Sequence, residues 1–466
     1  MIDPERAPQS GRHSLAQHPG GAADHGAFDA FNPPAANQVA DCIRCGFCLP
    51  ACPTYALWGQ EMDSPRGRIH LIRLALEGEV PIDRDFSRHF DACLGCMACV
   101  TACPSGVQYE DLLEATRPQI ERQQRRSLGD RLFRRWVFAV FPHPARLRLA
   151  AMLLWMYQRV GVRSLVRRSG LRQLLPRRLA ALDALAPDVR LAALWARLPE
   201  RLPPVGPGRL KVGMLTGCVQ SVFFADVNAA TARVLTAEGC EVTVPTEQGC
   251  CGALEAHTGQ QAAASQRAKA IITAFDDTGV DLVVTNAAGC GSNLKRYGRL
   301  LADDPAWAQR AAAFAARVRD VTELLVALEP RAARQPLPGR VAYHDACHLA
   351  HAQGLRREPR ALLQSIPDLQ LVDLPEPDMC CGSAGVYNLL EPEPAADLGR
   401  RKAELIRAAA PQAVASANPG CLLQLRRHLG DGLPLLHPVQ LVDCSIRGVP
   451  PPWPDGISGK SVGGLG

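Results

Sequence analysis

Nowhere in its 466 residues does the sequence have an apolar run long enough to cross a bilayer. Its best stretch, LAAMLLWMY at 149–157, is nine residues long beside arginines, against the roughly eighteen a span needs. Integral insertion is not expected. Residues 1–40 are rich in Gly, Pro, Ala and His without an apolar core segment, so no secretory signal is read there. There is no P-loop, no glycine-rich dinucleotide fingerprint after a strand and no nucleophile–base pair, so substrate chemistry is expected on another subunit. Lysine is missing from residues 121–201, which instead hold eighteen arginines against five acidic residues. That balance of +13 leaves −7 for the remainder of a chain whose net charge is +6. Arginine interleaved with Trp136, Phe138, Phe141, Trp155 and Tyr157 suits an anionic membrane surface or an acidic partner. Solvated helix faces and, as a rival, nucleic-acid binding by a zinc-stabilised protein remain open.

What is abundant is cysteine. The eighteen cysteines fall in tight groups, unlike the even scatter of a disulfide framework. With 47% hydrophobic and 21% charged residues, the composition is that of a globular protein of two to four domains. Reduced thiols serving metals are expected, in a cytoplasmic setting.

Cys42, Cys45, Cys48 and Cys52, followed by Pro53, form C-x2-C-x2-C-x3-C-P, and Cys93, Cys96, Cys99, Cys103 and Pro104 repeat it. Such runs frame 4Fe–4S clusters, and in two-cluster ferredoxins the fourth cysteine of each run ligates the other cluster. The expected sets are therefore Cys42, Cys45, Cys48 and Cys103 for one cluster, and Cys93, Cys96, Cys99 and Cys52 for the other. Zinc prefers two C-x2-C hooks separated by a longer loop, so zinc is the weaker reading. The helix PRGRIHLIRLALEG, 65–78, lies between the runs.

A second pattern is duplicated. Cys218, Cys250, Cys251 and Cys290 correspond to Cys347, Cys380, Cys381 and Cys421 at offsets of 129 to 131 residues, each pair followed by glycine. Short apolar runs at 211–217, 280–286, 340–345, 369–374 and 413–418 alternate with helical stretches at 262–275 and 395–409. This βαβα order predicts two α/β repeats with largely parallel sheets. Cys218 and Cys347 are expected to close strands, placing all eight cysteines at the carboxyl edges where such sheets bind ligands. Adjacent cysteines can ligate neighbouring irons, and the glycine admits unusual backbone angles and offers N–H groups to sulfur. One or two further iron–sulfur clusters are expected; buried free cysteines, a neighbour disulfide or redox thiols are the alternatives. His344, His348 and His351 flank Cys347, and a supporting role there stands against an ordinary core or surface one. Cys240 and Cys444 fall outside the pattern, as core cysteines.

The fold class expected is multi-domain α plus α/β. A disordered tail, 1–36, precedes an α-helical two-cluster ferredoxin-type domain, 37–120. An Arg-rich helical segment and linker follow, 121–208; the helical periodicity of 111–201 is broken at prolines 118, 142, 144, 176 and 187. The two cysteine-rich domains occupy 209–333 and 338–445, and a flexible tail 446–466.

The motifs CIRCGFCLPACPTYALWGQEMDSPRGRIHLIRLALEG, CLGCMACVTACPSGVQY, LTGCVQSVF, QGCCGALEAHTGQ, NAAGCGSNLKRYG, DACHLAHAQ, CCGSAGVYNLL and NPGCLLQL, in that order, resemble the iron–sulfur subunits of glycolate oxidase (glycolate dehydrogenase). The resemblance covers about 38–445. It implies FAD-containing partner subunits that oxidise glycolate to glyoxylate, with electrons passing towards a membrane acceptor such as quinone. A peripheral place on the cytoplasmic face of the inner membrane, and no nucleic acid, go with it. Subunits of lactate and glycerol-3-phosphate oxidation, and heterodisulfide reductases that are thiol–disulfide enzymes, share the same parts. Heterodisulfide reductases end each repeat in C-x2-C, whereas Asn293 and Gln424 occupy those last positions here.

Overall fold

The computed structural model describes residues 25–169, 175–451 and 453. The ferredoxin-type part is helical: Pro53–Trp58, Pro65–Leu76, Arg84–Asp91 and Tyr109–Gln123 pack around Ile72, Phe90 and Leu112. The second of these begins as its sequence predicts, with Ser64 accepting from the Gly67 N–H at 3.0 Å and proline at the first helical position. Two expectations change here. Residues 25–36, read as part of a disordered tail, lie on this core: Phe28 is buried within it, and the Asp29 N–H donates to Gln119 Oε1 at 2.9 Å. The rest of that tail, 1–24, and most of the C-terminal one, 454–466, are outside the described residues. Pro118 does not break its helix, which runs through it from Tyr109 to Gln123. Tertiary packing outweighs the lost hydrogen bond there, because Gly259 presses so closely that a Cβ would lie 2.6 Å from the Arg117 carbonyl and 2.9 Å from the Pro118 nitrogen.

From residue 201 the chain builds two sheets. The first joins β1 (Arg201–Leu202), β2 (Leu210–Leu215), β3 (Cys240–Thr243), β4 (Leu282–Thr285) and β5 (Val318–Asp320) in the order β1-β3-β2-β4-β5. The second joins β6 (Gly339–Tyr343), β7 (Leu369–Val372), β8 (Ala413–Ala415) and β9 (Leu435–Leu436) in the order β7-β6-β8-β9. All pairings are parallel except that of β1 with β3. Without β1 the two orders are the same, so the cysteine duplication is a duplication of topology. Strands β3 (CEVT) and β5 (VRD) escape a pattern reading because charged residues interrupt them, and β9 because it is only two residues long.

The repeats pack reciprocally. Helix Ala225–Ala237 of the first lies against Pro438–Arg447 of the second, and Val321–Ala327 of the first against Glu358–Gln364 of the second. One continuous apolar core, including Val212, Leu235, Val341 and Val439, therefore spans both sheets. At their carboxyl edges the Ala288 N–H donates to the Ala417 carbonyl at 3.0 Å.

The ferredoxin-type part is held by both repeats. Arg296 reaches Asp111 at 2.7 Å, Glu114 at 2.6 Å and Glu110 at 3.1 Å, and Arg117 donates to the His257 carbonyl at 2.6 Å. On the other side His348 Nε2 lies 2.9 Å from the Gly95 carbonyl, and His351 Nδ1 lies 2.9 Å from Thr101. Helices Leu128–Val140, Pro144–Arg159 and Arg177–Leu185 then close over the carboxyl edges of the sheets.

Candidate iron–sulfur centres

The two ferredoxin-type runs wind alike. Positive φ occurs at Arg44 and Gly46 in the first and at Gly95 and Met97 in the second, flanking the middle cysteine each time. Such alternation turns successive backbone N–H groups to one side, the arrangement that receives anions; the Gly95 N–H points at Cys93 Sγ, 3.4 Å away. Cys103 lines the same small cleft as Cys42, Cys45 and Cys48. Cys45 is exposed and its neighbours Ile43 and Phe47 are 70% and 67% exposed, so this end of the chain faces outward. Cys52, Cys93, Cys96 and Cys99 are buried.

Burying that much sulfur calls for a buried cation. Arg68, 1% exposed, donates to the His89 carbonyl at 2.6 Å and to Thr54 Oγ1 at 3.1 Å, and sits 4.0 Å from Cys52 Sγ. Asp63 lies 3.7 Å from it and 2.8 Å from His89 Nδ1. Burial works against the Arg68 charge, yet Cys93, Tyr109, Cys52 and Asp63 hold its pKa above the ordinary arginine value. Conversely, burial alone would push the Cys93 thiol up, and Arg68 with Arg117 takes it below its usual value.

In the repeats all eight cysteines line one cavity of about 510 Å³. Cys218 and Cys347 do not close strands as expected; β2 and β6 end at Leu215 and Tyr343, and these cysteines open the following helical turns. Cys290 and Cys421 sit in the first turns of helices Ala288–Lys295 and Pro419–Leu429, whose N-terminal partial positive charge favours negative charge on sulfur. Cys218 and Cys250 sulfurs are 3.5 Å apart. The two thiols of each adjacent pair are shifted in opposite directions, the second one upward, and in the second repeat Cys421 is also drawn well below its usual value, chiefly by Cys381. Cys250 is drawn well below its usual pKa by hydrogen bonds from Cys218 and Cys251, and Cys380 likewise by Cys347 and Cys381.

Gly252 and Gly382 have φ of +80° and +87°, and a Cβ on Gly382 would lie 2.5 Å from the Ala395 carbonyl. Their N–H groups do face sulfur, the Gly252 donor lying 3.4 Å from Cys250 Sγ. Asn293 and Gln424 brace these turns instead of offering ligands: Asn293 donates to the Cys251 carbonyl at 2.8 Å, and Gln424 to the Ala395 carbonyl at 2.7 Å. Cys240 and Cys444 belong to the apolar core shared by the sheets and do not line the cavity. Of the three histidines, His344 faces Cys381 and Cys421, while His348 and His351 bind the ferredoxin-type part. Sequence reasoning missed Arg68 and Arg117, whose signal was only arginine within apolar helical stretches.

Convergent, buried thiols with N–H donors and a compensating guanidinium suit iron–sulfur clusters. Comparison with known proteins agrees. A family model for a 4Fe-4S dicluster domain matches residues 38–107, one for a cysteine-rich domain matches 212–295 and 341–426, and one for the glycolate oxidase iron-sulfur subunit linker region matches 129–186. A probable glycolate oxidase iron-sulfur subunit of Bacillus subtilis is 42% identical, over 84% of this chain and 88% of its own length. The chain belongs to the glycolate oxidase iron–sulfur subunit family. The Escherichia coli glycolate oxidase iron-sulfur subunit is 36% identical over 82% of this chain and 89% of its own length. Similarity also extends to a fumarate reductase (CoM/CoB) subunit of Methanothermobacter marburgensis, at 36% identity over 47% of this chain and 42% of that one. As a member of this family the chain is an iron–sulfur subunit of an oxidoreductase complex.

Arg68→Met should destabilise the protein by about 3 kcal/mol, the low end for breaking a buried pair, because Asp63 loses one buried partner and keeps His89. It should also make the iron–sulfur centre beside Cys52 and Cys93 harder to reduce. Urea unfolding and potentiometric titration read the two effects; an unchanged potential would remove the charge-compensating role.

Proposed function

We propose that this chain conducts electrons from an FAD-containing subunit, which oxidises glycolate to glyoxylate, to a quinone-type acceptor at a membrane. Bound clusters supply one-electron transfer; the polypeptide supplies their spacing, burial and charge environment. The observation that carries the reading is the row formed by the cysteine sets. It starts at exposed Cys45 and continues through buried Cys96, which shares an apolar cluster with Cys347 and Cys380, to the cavity shared by the two repeats. Exposed Ile43 and Phe47 make the outer end the natural face for a flavin subunit. Four sulfurs per repeat suffice for one cubane each, so Cys218, Cys250, Cys251 and Cys290, and Cys347, Cys380, Cys381 and Cys421, hold two clusters beyond the ferredoxin-type pair.

The complex, purified anaerobically with its flavin subunits, should show glycolate-dependent reduction of its iron–sulfur absorbance. An iron–sulfur signal that glycolate leaves untouched would reject the substrate assignment. Cys103→Ser should damage the cluster held by Cys42, Cys45 and Cys48 and spare the other, as crossed ligation requires; damage to the Cys93, Cys96 and Cys99 set would reverse that assignment. Iron content should exceed the roughly eight atoms of two cubanes and fall in Cys250→Ala. A content fixed at eight in both proteins would mean empty repeats.

For the membrane side, the arginines contribute less than their number suggests. Arg126, Arg134 and Arg178 meet Asp130, and Arg163 meets Asp188. The linker helices also leave leucines outside, beside exposed Arg131, Arg135, Arg146 and Arg159: Leu128 and Leu132 one turn apart, and Leu149 and Leu153 likewise. No single helix among the described residues is long and apolar enough to cross a membrane, although Leu128–Val140 and Pro144–Arg159 together, bent by 105°, have the length and composition. These helices lie in the interface with their leucines in the acyl boundary. Leu149→Glu combined with Leu153→Glu should move the complex from the membrane fraction to the supernatant. Native complex already in the supernatant at low salt would sink the idea.

A further inference from the structure

The two repeats are alike in topology and cysteines but differ at one buried position. His344 follows β6 and is 1% exposed, its backbone pinned by a 2.8 Å hydrogen bond to the Ala415 carbonyl. Neither ring nitrogen has an oxygen or nitrogen partner among the described residues; what the ring bonds is sulfur, that of Cys421. Its donor atom and the sulfurs of Cys381 and Cys421 all lie within 4.8 Å of one another. Counting back by the offset between Cys218 and Cys347, the equivalent residue of the first repeat is Leu215, buried in apolar surroundings. A buried imidazole whose only bonding partner is sulfur costs free energy that a packed leucine would not, so the second repeat holds this group for its sulfurs, a purpose that the first does not share.

We propose that His344 is an iron ligand of the second repeat, making that site a nitrogen–sulfur donor set beside the all-sulfur set of the first. The inference rests on the reading that both repeats hold clusters. A cubane takes four terminal ligands, so a fifth donor distinguishes one iron from the other three. Neutral imidazole adds a donor without the negative charge that a thiolate at the same place would bring, and histidine ligation goes with raised potentials in Rieske-type centres. Other local differences act in the same sense. Asn418 Nδ2 donates to Cys421 Sγ at 3.4 Å, where the first repeat has Ala287. Buried Lys402, bonded to the Glu376 carbonyl at 2.6 Å, stands where either register puts an isoleucine, Ile271 or Ile272. The second repeat is also the one that touches the ferredoxin-type part at Cys96. Together these make it the site that draws electrons inward from the ferredoxin-type centres.

The test is pulsed EPR on the reduced complex, prepared anaerobically with natural-abundance or 15N-labelled histidine. A strong histidine-nitrogen coupling is expected, absent from His344→Gln and from His344→Leu, which copies the first repeat. His344→Cys should keep the iron, lose the coupling and lower one midpoint potential. A complex with iron beyond the ferredoxin-type pair but no such coupling, or one whose coupling survives in His344→Gln, overturns the ligation while leaving the occupied repeats standing. Iron that stays at the two-cubane level, unchanged by Cys380→Ala, removes both readings together.

Discussion

Concentrating reduced sulfur inside a protein is an electrostatic problem before it is a catalytic one. Each buried thiolate set needs cations, N–H donors or helix ends near it, since an uncompensated buried charge costs several kcal/mol. The ferredoxin-type part solves this with one fully buried guanidinium, Arg68, anchored by Asp63 and the His89 carbonyl. The repeats use no arginine of that kind. They rely on the N–H after the cysteine pair, on helix N-termini at Cys290 and Cys421, and in the second repeat on His344, Asn418 and Lys402.

That difference in compensation bears on direction. Sites with identical sulfur ligands would offer electrons no preferred destination. Charge placed unevenly around otherwise similar sets gives the row a gradient, and the fold makes the row continuous by letting His348 and His351 clamp the ferredoxin-type part on the second repeat. Arg296 and Arg117 clamp the other side on the first. The linker helices line this side of the cavity with apolar residues such as Phe141 and Leu154.

The chemistry was legible in the sequence, because ligand spacing is local. Three hooks two residues apart can converge only on one cluster face, and a register of 129 to 131 residues in four cysteines can only be a repeat. Strands β2, β4, β6, β7 and β8 were readable for a similar reason: each is a short apolar run bounded by turn residues. What the sequence could not rank was anything decided between distant segments. Pro118 reads as a helix break until Gly259 packs against it, and residues 25–36 read as tail until Phe28 finds Ile72 and Phe90. Asn293 and Gln424 were recognisable as missing thiols, but their service to the Cys251 and Ala395 carbonyls appears only when the helices are in place.

The sequence by itself therefore determined the donor types, their grouping into sets and the duplication, since each follows from spacing along the chain. Only the tertiary structure decided that eight cysteines share one cavity, that one histidine of three faces sulfur, and that Arg68 is the buried counter-charge. Those outcomes depend on how two parallel sheets present their carboxyl edges to each other and on which helix faces are left to receive the ferredoxin-type part. Packing, acting across more than a hundred residues of chain, sets them.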